Sequence, residues 1–560
     1  MKRLYTYAAF ALALALTSCN DNYLDRAPEV ALPESAVFAN PTLAAQFADN
    51  AYNFLIDDYA RLNVHRGISG QFSDEAVSAN NDVAVRTINS GDYQAHAYSG
   101  VTNDILTVYV DSYKGIRIVN QVLEHLDQIP FPTSGRDLRK EYRGQMHFLR
   151  AFYYSELVKR FGGVIFETKA EADPNADISK PKSTFDECVA FILSDLDIAD
   201  ANLPLEYQDS EYGRATKGAA YALRARLLLL AASPLHNPEN DRAKWSAAAA
   251  AARRLMVDLN NERTVPYTLT GTDYNQLLNY ARSDEYIMIK PRNARSREGM
   301  LVDFVMSPRS GGAQGTLNPS QNHVDLYEMQ ATGLPISNPA SGYSAQNPYA
   351  GRDPRFYANI LYNDRPWQGW RIDMWSQHPT ESDFVEGSVK HTVTGYYCRK
   401  FWPEAYKANA TNQAFINYIF FRYGEVLLNY AEAQNEALDA PDASVYQAIK
   451  QIRDRAGMPE LPASLTKEEM RQRIRNERAV ELAFEDIRWY DLLRWRAADV
   501  ITQPMRAVRV TRNSNGRFTY TCITLPESYQ KRHESYMDLY PFPRNEVYKS
   551  NGKLIQNPGW

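Results

Sequence analysis

Three of the chain's eight tryptophans fall within one short run, Trp367-Gln-Gly-Trp370-Arg-Ile-Asp-Met-Trp375, with Arg365, Arg371 and Asp373 around them. Flat aromatic faces stack on the C–H faces of sugar rings, while Arg and Asp bond to hydroxyls. This run therefore has the makings of an open site for a carbohydrate or another amphipathic ligand. The same tryptophans would also serve as anchors that pack a loop onto the body. A second group lies nearer the start: Phe72, Asp74, Glu75, Asn80, Asn81, Tyr93 and Tyr98. Tyr and Asn are frequent in any loop, so this group is the weaker signal. The candidate ligand contacts are Trp367, Trp370, Arg371 and Trp375, joined by Asp74 and Tyr98.

Patterns for bond-breaking chemistry are poor. Nine histidines are scattered, without His-Glu-x-x-His and without Cys/His ligand spacing, so no metal and no cofactor is expected. No phosphate-cradling GxxxxGK[ST] loop occurs. Ser528-Tyr-Gln-Lys531 fits S-x-x-K but lacks the companion motifs of that enzyme class. A glycosidase needs only two well-separated carboxylates, and 67 Asp and Glu leave that route open. In the charge-rich stretch Glu468–Arg496, Glu469 with Arg473 and Asp491 with Arg494 have helical pair spacing. Such a face is solvated or braced against a neighbouring helix.

The elements that must position these residues read as helices. Apolar residues recur at spacings of three and four in Tyr113–Ile129 and in Glu141–Phe161, the latter stopping at Gly162-Gly163. Thr184-Phe-Asp-Glu187 is a capping box that opens a helix to about Asn202. Further helices are expected over Thr216–Ala232, Trp245–Leu259, Arg422–Leu438, Ser444–Ala456 and Thr466–Arg496. Small residues beside aromatics in these paired helices suggest degenerate tetratricopeptide-like units. Residues 260–420 lose this periodicity and are rich in Gly, Pro, Asn and Ser, as a functional loop region is.

Composition narrows the setting. The net charge of −5, without any block of like charge, argues against nucleic acid as a partner. Lys2 and Arg3, the apolar run Ala8–Leu16 and Leu16-Thr-Ser-Cys19 form a secretory signal of residues 1–18. Its apolar core is too short to span a bilayer. Cys19 at the cleavage point makes it resemble a bacterial lipoprotein signal, with Cys19 lipidated. Of the remaining cysteines, Cys188, Cys398 and Cys522, the spacing favours no pairing.

Ordered motifs over nearly the whole chain resemble the SusD/RagB family of nutrient-binding outer-membrane lipoproteins of Bacteroidetes. They begin with Cys19-Asn-Asp-Asn-Tyr-Leu-Asp25 and FLRAFYYSELVKRFGGV (148–164), where Ile165 replaces the family's usual Pro. GRATKGAAYALRARLLLLAA (213–232), NPSQNHVDLYEMQATGLPI (318–336) and RDPRF (352–356) follow. FRYGEVLLNYAEAQNEA (421–437), RNERAVELAFEDIRWYDLLRW (475–495), LYPFPRNEV (539–547) and QNPGW (556–560) complete the set. The resemblance implies a mainly α fold of four tetratricopeptide-like helix pairs, with a loop-rich second half and little β structure. It implies one unit over residues 19–560: a helical-repeat portion over about 19–235, then loops and C-terminal helices over about 270–560. The implied function is non-catalytic: a lipid-anchored, cell-surface protein that captures glycans, or in some branches peptides, and delivers them to a TonB-dependent outer-membrane transporter. Arg488, Trp489, Asp491 and Trp495 are expected to brace helices. No ligand contact carries over from the family.

Overall fold

The computed structural model describes residues 32–57, 69–79, 83–92, 104–133, 135–170, 179–271, 277, 282–291, 315, 317–376, 382–384, 391–400 and 417–560. Its frame is a succession of helices: α1 (Pro41–Asp49), α2 (Asp104–His125), α3 (Leu138–Phe161), α4 (Phe185–Asn202), α5 (Lys217–Ala232) and α6 (Arg242–Arg253). Within the loop region lies the short α7 (Pro354–Asn359), and after it come α8 (Tyr423–Ala437), α9 (Ala443–Ala456), α10 (Lys467–Glu481) and α11 (Arg488–Trp495). Each of α2 to α5 packs on the next, α6 packs on α8, and α8 on α9 and α10, so the N-terminal helices run on into the C-terminal portion. The mainly α architecture expected from the sequence is the one observed.

Local chemistry explains the boundaries. The capping box at Thr184 forms as expected, Thr184 accepting from the Glu187 N–H and Glu187 from the Thr184 N–H. The same device starts α10 at Thr466 and Glu469. Helix α3 stops at Gly162, whose φ of 71° suits a residue without a side chain. A Cβ on the following Gly163 would lie 2.0 Å from the Ser183 carbonyl oxygen, so this close approach requires glycine. Ala219, Ala220, Ala222 and Ala225 of α5 are all buried, as helices packed at short distance need.

Strands are short and, among the described residues, pair only two by two, all antiparallel. They are β1 (Ala76–Ser78) with β3 (Leu317–Pro319), and β2 (Tyr286–Lys290) with β8 (Tyr418–Arg422). Next are β4 (Ile360–Leu361) with β7 (Tyr397–Cys398), and the hairpin β5 (Pro366–Trp367) with β6 (Trp370–Arg371). The longest pair is the hairpin β9 (Arg506–Arg512) with β10 (Phe518–Thr524).

Two expectations require correction. The single helix over Thr466–Arg496 is two helices, broken between Glu481 and Arg488. There Phe484 and Asp486 adopt left-handed φ values of 63° and 59°. The break turns acids inward: Asp486 accepts from the Ser69 N–H at 2.9 Å, and Glu485 accepts from Arg422 Nε at 2.7 Å. The second correction concerns Glu469, whose carboxylate caps Thr466, while Arg473 reaches Glu328 at 2.5 Å.

The charge-rich stretch is thus largely interior. Arg422 joins Glu285, Glu481 and Glu485 at 2.7–2.8 Å, and Arg355 joins Asp353 and Glu477 at 2.8 and 2.6 Å. Arg453 adds Glu328 and Glu477, at 3.0 and 2.9 Å. The Asp491–Arg494 pair read from spacing is present at 2.8 Å. This network ties the loop region to α10. Trp489 and Trp495 are buried, their indole N–H groups donating to Tyr540 and Glu432, as bracing residues should be. None of Cys188, Cys398 and Cys522 is in a disulfide; the first two are buried and Cys522 is exposed.

Candidate ligand-binding surface

The tryptophan run forms the hairpin β5–β6, with Trp367 directly opposite Trp370. Gln368 and Gly369 between them both have positive φ, 46° and 95°, the turn that suits the twist of a two-residue hairpin. The hairpin sorts its aromatics. Trp367 points inward and is 1% exposed, packed near the Arg399 and Arg365 guanidiniums at 5.3 and 6.0 Å. Trp370 is half-buried, and Arg371 is exposed with an ion pair to Asp364 at 3.2 Å.

Asp373 then organises the approach to Trp375. Its carboxylate accepts from the Trp375 and Ser376 N–H groups at 3.1 and 2.9 Å, a local turn that competes with regular structure. The Asp373 N–H in turn donates to Asp383 at 2.9 Å. The side chain expected to bond ligand hydroxyls is therefore engaged in holding the loop. Trp375 comes out half-buried, 6.4 Å from Phe518 and with the Arg512 guanidinium 5.1 Å from its ring.

Phe518 and Arg512 face each other across the β9–β10 hairpin, far along the chain from the tryptophans. Tyr520, two residues on and on the same strand face, lies 5.1 Å from Tyr349, which in turn packs 4.4 Å from Tyr362. The outcome is a partly exposed aromatic patch of Trp375 and Phe518 with Arg512 between them, while Trp370 and Arg371 stand half-buried and exposed on the β5–β6 hairpin. Phe518, Tyr520 and Arg512 escaped the sequence reading. The alternation Phe518-Thr-Tyr520 between two strand-like runs was the signal that could have found them.

The second candidate group is placed differently. Asp74 is buried and receives two bonds from Arg488, at 2.9 and 3.0 Å. Burial pushes its carboxyl up, but Arg488 outweighs that and holds it below its ordinary range. Glu75 is buried too, and burial pushes it up to about 8 despite the bond from the Phe484 N–H. Phe72 packs edge-on against Trp489 at 5.8 Å. Asp74 is thus committed to an internal ion pair, and its own contacts do not link it to the tryptophan hairpin. Tyr98, with Asn80, Asn81, Tyr93 and the lipidation candidate Cys19, lies outside the described residues. Ser528 is exposed while Lys531 is buried against the Ser73 and Ala76 carbonyls, so the two do not form a reactive pair. No cluster of three or more metal-ligating side chains occurs among the described residues.

Fold and surface together define a helical-repeat scaffold carrying a loop-built aromatic face. The chain belongs to the SusD family: the SusD family model matches residues 271–560, and a model described as "Starch-binding associating with outer membrane" matches residues 22–229. Among curated relatives, SusD-like protein P2 of Formosa agariphila is 25% identical over 432 residues, covering 74% of this chain and 73% of its own. Among solved structures, a SusD-like protein from Bacteroides fragilis superposes with a TM-score of 0.77 at 28% identity, covering 96% of this chain and all of its own. A SusD-like carbohydrate-binding protein from the same organism has the same fold, with a TM-score of 0.74 at 22% identity over 92% of this chain and 99% of its own.

Proposed function

We propose that this protein is a non-catalytic, lipid-anchored glycan receptor of the outer cell surface. It captures oligosaccharides and passes them to a TonB-dependent outer-membrane transporter. The observation that carries the reading is half-buried Trp375 against Phe518 and Arg512, with half-buried Trp370 and exposed Arg371 on the hairpin that precedes it in the chain. Such a face offers apolar plates for sugar rings and guanidinium donors for their hydroxyls. Support also comes from the family description, starch-binding and outer-membrane-associating, and from the carbohydrate-binding protein of the same fold. Lipidated Cys19, at the cleavage point of the signal, supplies the anchor, and the helical scaffold supplies a broad face for a transporter.

The mechanism is capture without bond cleavage. Trp367, buried beneath the hairpin, fixes its position, and the Asp373 turn sets Trp375 before ligand arrives, which limits the ordering cost of binding. A panel of polysaccharides presented to the purified protein should yield retention of at least one, with no new reducing ends on prolonged incubation. Turnover of any member would overturn the receptor reading.

A further inference from the structure

A second concavity, lined by no residue of the tryptophan hairpin, lies between α10, α11, the β9–β10 hairpin and the loop around residues 321–343. It encloses about 860 Å³, within the range of ligand sites. Leu326, Pro335, Ile336 and Val500 supply apolar wall. The charged side chains lining it are three acids and four arginines. Asp74 is taken by Arg488 at 2.9 Å, Asp325 by Arg506 at 2.8 Å and Glu328 by Arg473 at 2.5 Å. Arg475 is the arginine left over.

Among the described residues Arg475 makes neither an ion pair nor a hydrogen bond. Its guanidinium lies 4.5 Å from the centre of the Trp495 ring. The acids nearest to it are engaged elsewhere. Glu432 receives Arg494 at 2.5 and 2.6 Å and the Trp495 indole N–H at 2.7 Å. Glu436 receives Arg471 at 2.6 Å through both oxygens, and Glu468 is bonded by Arg471 and by Gln472. Burial draws Arg475 somewhat below its ordinary pKa against the pull of Glu432, yet a guanidinium keeps its charge at any physiological pH. Across the same cleft the half-buried Tyr343 has a hydroxyl that makes no hydrogen bond among the described residues.

We infer that this cleft is a subsite for the anionic substituent of an acidic sugar, with Arg475 gripping two of its oxygens. The inference rests on the glycan-receptor reading and adds the ligand's charge. A guanidinium lying on an indole is pre-organised, and its free N–H edge matches a carboxylate or sulfate bidentately. The apolar wall then receives the face of the sugar ring. Uronate carboxylates and sulfate esters share this chemistry, and both would enter as the cleft's missing fourth anion.

The test uses the full chain in detergent and two matched pairs of probes: oligogalacturonide against its carboxyl-reduced form, and sulfated galactan oligosaccharide against its desulfated form. In titration calorimetry, at least one acidic probe should bind about tenfold tighter than its neutral partner, the effect of one charge-assisted bidentate pair. Which pair shows the preference identifies the substituent. Arg475→Gln should remove the preference and Arg475→Lys should keep part of it, at unchanged melting temperature. Exposed Cys522 lines the same cleft, so the bound acidic probe should slow its alkylation in the unmutated protein, followed on its own peptide by mass spectrometry. Equal affinity within both pairs, a preference that survives Arg475→Gln, or unchanged Cys522 alkylation would overturn the inference. Neutral glycan binding that depends on Trp370 without any acid preference would sink this cleft alone. An Arg475-dependent acid preference indifferent to Trp370→Ala would instead sink the aromatic surface.

Discussion

Trp367, Trp370 and Trp375 share a short run but not a role, and the difference shows how far single residues can be read. Their clustering was legible, and so was the chemistry of aromatic plates beside Arg and Asp. What the order of residues could not convey is which plate faces out, because that depends on a two-residue turn that places Trp367 inward and on the Asp373 carboxylate being spent on backbone N–H groups. Trp367→Ala should therefore destabilise the protein by about 3–5 kcal/mol in denaturant unfolding, as large buried aromatics do. Trp370→Ala and Trp375→Ala should leave the midpoint almost unchanged. The buried acids make a second prediction. Burial raises the Glu432 and Glu156 carboxyls, but Arg494 and, for Glu156, Lys159 with Arg160 hold both at about 2. Their folded pKa lies below the unfolded value, so the stability they contribute is present above about pH 4.5 and drains away as pH falls towards 2. Thermal melting across that range should show a steep fall in melting temperature, and a flat profile would contradict the burial of these pairs.

At the scale of elements, most helices were visible because periodicity and capping boxes act locally. The break between α10 and α11 was not, for it carries neither Gly nor Pro. It is enforced by distant partners: Ser69 bonds Asp486, and Arg422 and Lys400 bond Glu485. The same non-local cause hid the β9–β10 hairpin's part in the aromatic surface. Glu481, at the end of α10, takes Arg422, Arg355 and Arg455. Glu481→Ala would leave three buried guanidiniums short of an anion, and should cost about 3–5 kcal/mol of stability in urea unfolding. A loss near zero would mean that the network does not join α10 to the loop region.

For the whole molecule, sequence motifs and fold agree on family, whereas ligand and partner are properties of loops and surfaces that no shared pattern encodes. The proposed tether belongs to this scale. Cys19→Ser should shift the protein from the membrane to the soluble fraction on cell fractionation, since the described helices include none long and apolar enough to cross a bilayer. Continued membrane retention of that variant would place the anchor elsewhere. The central claim, that the aromatic face captures glycan, is tested most directly by titrating the glycan retained in the panel against the unmutated protein, Trp370→Ala and Trp375→Ala. Saturable binding to the first is expected, with a loss of about fivefold or more in each variant, roughly 1 kcal/mol per plate, and folding intact. Equal affinity in all three proteins would contradict it.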